Sequence, residues 1–196
     1  MTPRIDPPTI RPARPEDVPA VVGMVHELAE YERAPQECHL TEEQLHQALF
    51  GGAPALFGHV AVDARDEPVG FALWFLSFST WAGVHGIHLE DLYVRPAARR
   101  TGAGRLLLAT LAAICVQRGY RRLEWHMLDW NPAAEFYRAV GAEPIPQWVP
   151  YRLDGNALAA LAGQAPDPSR TPAGPHRPRA DRDAATRLAA GGDERG

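Results

Sequence analysis

Residues 99–104, Arg99-Arg100-Thr101-Gly102-Ala103-Gly104, join a run that reads as a strand, 87–94, to one that reads as a helix, 102–118. This junction constrains the chain more than any other stretch. The first four N–H groups of a helix have no internal partner, and the helix dipole adds roughly half a positive charge at the same end. Gly102 and Gly104 let a ligand reach the backbone where a Cβ would intrude. Arginines beside such an end make a cradle for phosphate or pyrophosphate. The hexad is neither the G-x-G-x-x-G dinucleotide fingerprint nor a P-loop, since no Gly-Lys-Ser/Thr follows. Taken alone, the same six residues also suit an ordinary glycine-containing strand-to-helix turn.

The flanks narrow the choice. His88-Leu89-Glu90-Asp91-Leu92-Tyr93-Val94 runs into the loop, and Trp130-Asn131-Pro132 and Glu135-Phe136-Tyr137-Arg138-Ala139-Val140-Gly141-Ala142 lie downstream. Ile10-Arg11-Pro12-Ala13, Glu27-Leu28-Ala29, Tyr31-Glu32 and Val69-Gly70-Phe71-Ala72 precede them. In this order the pieces resemble the GNAT superfamily of N-acetyltransferases, and within it the spermidine/spermine (diamine) acetyltransferase branch, over about residues 9–163. The resemblance implies a mixed, twisted sheet splayed between its fourth and fifth strands. It also implies acetyl-CoA as co-substrate and a homodimer. Three departures stand out. Val149-Pro150 replaces a branch glutamate before Tyr151-Arg152-Leu153, Arg100 replaces a glycine, and the approach from Asn131 to Tyr137 is one residue shorter.

The rest of the chain suits such a fold. Val18, Val21, Val22, Val25 and Leu28 recur at helical spacing after Pro15. Thr41-Glu42-Glu43-Gln44 reads as a capping box opening a second helix. Strands are expected at 9–11, 56–62, 69–78, 87–94 and 122–128, with a last one carrying Val149, Tyr151 and Leu153. Gly119 should end the long helix. Asn131-Pro132 should open a short helix, and a small one is expected at 156–161. Strands mixed with helices and hairpins give an α/β fold whose sheet is not purely parallel. Residues 165–196 are rich in Pro, Arg, Ala and Gly, with Leu188 as their one large apolar side chain. We expect them to be disordered.

Charge and composition exclude several partners. The chain carries −4 and contains no lysine. Residues 165–196 hold six arginines against five acids, so they carry +1 and the remainder carries −5. An acidic domain disfavours nucleic acid and speeds encounter with cations. No apolar run reaches the ~18 residues of a membrane span, and 1–8 lack a signal-peptide core. The free cysteines Cys38 and Cys115 suit a reducing cytoplasm. The eight histidines show no ligand spacing, so no metal is expected.

Acetyl transfer to an amine needs a proton acceptor. An alkyl ammonium near pKa 10.4 is deprotonated about once in 2,500 at pH 7, a cost of about 4.6 kcal/mol. By the resemblance, Glu90 is the base, and Asp91, Tyr31 and Glu32 join it in binding the amine. The pair Glu90-Asp91 also fits binding by charge alone, and Tyr31-Glu32 also fit a plain helix end. Neighbouring strand residues face opposite sides, so a bulge is needed for both acids to face the substrate. Tyr137 matches the family's general acid toward the leaving sulfur; an aromatic packed on the co-substrate is the other reading. Main chain of Leu92, Tyr93 and Val94 would pair with the pantetheine arm. Arg99, Arg100, Thr101, Gly102, Ala103, Gly104, Arg105 and Asn131 complete the acetyl-CoA set. The acceptor is expected to be a diamine, a polyamine or a lysine-like amino acid. A protein N-acetyltransferase and a non-catalytic CoA-binding module are the rivals.

Overall fold

The computed structural model describes residues 8–166. Up to Glu143 they form one compact unit, and a second begins at Pro144. The first is built on five strands in the order β1 to β5: Thr9–Pro12, Phe57–Val62, Pro68–Ser79, Val84–Val94 and Leu123–Trp125. The first four pair antiparallel, while β5 runs parallel to β4. The sheet is therefore mixed, as expected.

Helices cover both faces. Helix α1, Val18–Tyr31, follows a 3₁₀ turn at Pro15–Asp17. Its valine stripe packs with α2, Glu42–Phe50, onto Phe71, Leu73 and Tyr93. Thr41 caps α2 as the capping box requires: its hydroxyl accepts from Gln44 N–H, and the Gln44 side chain accepts from Thr41 N–H. Buried Asp17 fixes where the chain enters α1. Its carboxylate accepts from both Arg11 terminal nitrogens at 2.6 and 2.9 Å and from Arg14 N–H at 2.7 Å.

On the opposite face α3, Ala103–Arg118, buries Leu107, Leu108, Leu111 and Cys115 against Trp74, Ile87 and Leu89. Gly119, at φ +69°, ends it where Tyr120 N–H reaches Cys115 O, the left-handed finish glycine favours. Helix α4, Ala133–Ala139, follows β5.

Two expected strands differ. The fifth covers Leu123–Trp125 rather than 122–128, because its ladder with β4 ends at Leu89↔Trp125. The stretch around Val149, Tyr151 and Leu153 forms no strand. Alternation marks a chain suited to a sheet, but a strand exists only where its N–H and C=O groups find a partner ladder. Beyond it lies α5, Gly155–Ala162. Most of the tail expected to be disordered, 167–196, lies outside the described residues.

Candidate active site

A cavity of about 620 Å³ opens where β4 and β5 stop pairing. Beyond Leu89↔Trp125 the strands part, leaving Glu90 and Asp91 on one wall and His126 and Met127 on the other. A bulge sets this wall. Leu73 pairs with Asp91 while Trp74 pairs with Leu89, so Glu90 is the extra residue of β4. Below the bulge, Ile87 and Leu89 face α3. Above it, Leu92 and Val94 do so and Tyr93 turns to the α1 side. One inserted residue thus reverses the alternation and leaves both acids on the cavity.

All the expected site residues line this one space except Thr101. The Thr101 hydroxyl instead donates to Ala98 O at 2.7 Å and tightens the loop from within. At the cradle, the first helical bond of α3 runs from Leu106 N–H to Gly102 O. The N–H groups of Ala103, Gly104 and Arg105 therefore have no helical acceptor. Gly102 takes φ +95° and Arg100 takes φ +64°. A Cβ on Gly104 would lie 3.5 Å from Phe136 and 3.8 Å from Val94. A single carbon fits, and a branched side chain would fill the space before the helix end. Arg99 donates through Nε to Val94 O at 2.9 Å, with its guanidinium 5.5 Å from the Tyr31 ring centre and 5.7 Å from that of Tyr93. A helix end, bare backbone and arginines form a donor set that fits a pyrophosphate.

The acids sit at the other part of the cavity. Burial raises the Asp91 carboxyl to about 6, with the charges of Glu90 and Glu32 adding to the shift. Burial also pushes Glu32 upward. Three carboxylates sharing a partly dry wall repel one another, and an incoming ammonium relieves that repulsion. Tyr137 comes from α4, its ring 4.7 Å from Trp125 and 5.3 Å from Phe136. Burial, and then the charge of Glu32, raise its phenol to about 12. Asn131 holds the start of α4: its Oδ1 accepts from Ala133 N–H at 2.9 Å and from the Tyr31 hydroxyl at 3.4 Å. The Asn131 side chain thus spans α1 and α4 at the cavity.

The apolar lining was less visible. Trp125, Phe136 and Leu28 all border the cavity. Helical or strand periodicity marks each as a core residue, and nothing in one sequence separates core from cavity wall. Trp125, on the alternation at 122–128, carried the best available signal.

A mixed sheet parting between β4 and β5, with an anion cradle at α3 and carboxylates beside it, suits transfer of an acyl group from a phosphate-bearing donor to an amine. The acetyltransferase (GNAT) family pattern matches residues 22–142. The chain is 35% identical over 166 residues to a thialysine N-epsilon-acetyltransferase of Bos taurus, covering 79% of this chain and 97% of that one. It is 30% identical to L-ornithine N5-acetyltransferase NATA1 of Arabidopsis thaliana, covering 78% and 86%. Among solved structures, an integron cassette protein from the mobile metagenome of V. cholerae superposes with a TM-score of 0.67 at 28% identity, over 80% and 98% of the two chains. The chain belongs to the GNAT family of acetyltransferases.

Proposed function

We propose that the protein acetylates the side-chain primary amine of a small lysine-like amino acid or diamine, with acetyl-CoA as donor. The observation that carries this is one cavity joining an anion cradle to a wall of three carboxylates, with Tyr137 in its lining. The relatives' names, thialysine and ornithine acetyltransferases, point to the same class of acceptor.

The donor, when bound, supplies an acetyl thioester. The chain does the rest. Ala103, Gly104 and Arg105 N–H groups, with Arg99 and Arg100, hold the pyrophosphate, and the main chain of Leu92, Tyr93 and Val94 guides the arm. Glu32, Glu90 and Asp91 gather the ammonium, and Glu90 takes its proton through water. As nitrogen bonds to the acetyl carbon and the C–S bond breaks, Tyr137 gives its phenolic proton to sulfur, and the second proton leaving the nitrogen passes through water to restore the phenol. A phenol at about 12 is uphill of an alkyl thiol near 8.5 by about 5 kcal/mol. The proton therefore moves with C–S cleavage, in the dry space that Trp125 and Phe136 provide.

Asp91 supports a second assignment of the base. At about 6 its carboxyl lies nearer neutral pH, where a general base works best.

We also read the protein as a cytoplasmic homodimer. Free Cys38 and Cys115 suit a reducing compartment, and among the described residues no helix is long and apolar enough to cross a membrane.

The test is release of free thiol from acetyl-CoA over a panel of diamines, amino acids and peptides. Release with lysine-like amino acids or diamines supports the reading. Release with peptides alone shifts it to a protein acetyltransferase, and binding without release makes the chain a CoA-binding module.

A further inference from the structure

Arg33 closes α1 in a conformation that its own side chain disfavours. Its φ is +64°, in the left-handed region where glycine is at ease and a Cβ is not. The backbone there is the finish that glycine usually occupies: Arg33 N–H reaches Glu30 O at 3.1 Å and Ala34 N–H reaches Ala29 O at 3.0 Å. A non-glycine residue held there points to a use for its side chain.

The side chain sits over an aromatic. Its guanidinium carbon is 4.8 Å from the Trp130 ring centre, and Trp130 is 6.2 Å from the ring of Tyr31, which lines the cavity. Stacking occupies the face of the guanidinium and leaves its in-plane N–H fork free. Among the described residues Arg33 forms no ion pair. Arg99, the other arginine near Tyr31, has its Nε engaged with Val94 O and borders the cradle. The neighbouring residue Glu32 belongs to the carboxylate wall. A cation without an ion pair thus stands next in sequence to Glu32 of that wall, stacked on Trp130, which neighbours the cavity-lining Tyr31.

We propose that Arg33 is a specificity-determining residue: its fork holds the α-carboxylate of an amino-acid substrate whose side-chain ammonium enters among Glu32, Glu90 and Asp91. This rests on the amine-acetylating reading above and narrows it. A zwitterionic diamino acid satisfies both ends of the site. A bare diamine or a polyamine leaves the fork unpaired and brings a second ammonium against it.

Arg33→Gly tests this, because glycine suits the backbone and keeps α1 closed. Steady-state kinetics on L-lysine and on 1,5-diaminopentane compare one terminal amine with and without a carboxylate. Wild type should prefer lysine. Arg33→Gly should lose about 10- to 100-fold in kcat/KM on lysine, almost wholly through KM, as loss of a bidentate charged contact implies. The diamine should lose nothing and can only gain, since its second ammonium no longer meets a like charge, and the melting temperature should not fall. Arg33→Lys should recover part of the lysine KM. Equal losses on both substrates would mean that Arg33 only braces α1 against Trp130, and no loss on either would remove it from the site; each result overturns the proposal. A wild type that acetylates no amine overturns the parent reading, and Arg33's role with it.

Discussion

Asp91 carries the charge most at odds with its surroundings, and that makes it a stability switch. Its folded carboxyl titrates near 6, raised by burial and then by Glu90 and Glu32, against about 3.9 unfolded. The folded state therefore binds the extra proton between these values, and stability is lost as pH rises through that window. Asp91→Asn should be more stable than wild type at pH 8, by up to about 3 kcal/mol, with the gain shrinking as pH falls through about 6 and gone below about pH 4. Thermal melts across pH check this, and a difference independent of pH would mean that Asp91 titrates as an ordinary carboxyl. The roles proposed for Tyr137 and Glu90 are separable in the same way. Tyr137→Phe should lower turnover about 10²-fold or more with acetyl-CoA affinity little changed. Glu90→Gln should lose most near neutral pH and recover as rising pH deprotonates the amine in solution. Parallel pH–rate profiles for the two variants would demote Glu90 to substrate binding and favour Asp91 as base. The two adjacent acids are legible in the sequence. Their shared exposure to the cavity is not, because it depends on a bulge that pairing with β3 imposes.

At the scale of elements, the start of α3 was the most readable part of the site. Its arginines, glycines and helix onset sit in one unbroken stretch, so local rules suffice. Gly104→Val tests that reading, since the branched side chain would cover the free N–H groups beside Phe136 and Val94. Calorimetric titration of folded Gly104→Val protein should show acetyl-CoA binding lost or weakened by at least about tenfold. Wild-type affinity would refute the cradle. Thr41's capping box and the Gly119 helix end were equally readable, because each is a bond between near neighbours. The short β5 and the missing strand near Tyr151 were not. Alternation gives a strand's faces but not its partner, and β5 ends where its ladder with β4 ends.

At the scale of the whole molecule, charge and fold point the same way. Residues 1–164 carry −5, and three acids line the cavity, a charge distribution that favours encounter with cations. Backbone N–H groups and arginines line another part of the same space, a donor set that fits an anion. No single residue reveals this opposition; it arises when β4 and β5 part. Its direct test is the product formed from acetyl-CoA and L-lysine, read by mass spectrometry with fragmentation alongside thiol release. The structure-based expectation is one thiol released per lysine acetylated, with the acetyl group on the side-chain nitrogen. Thiol release without an acetylated amine, or acetylation of the α-nitrogen, would contradict the proposed seating of the amine among Glu32, Glu90 and Asp91.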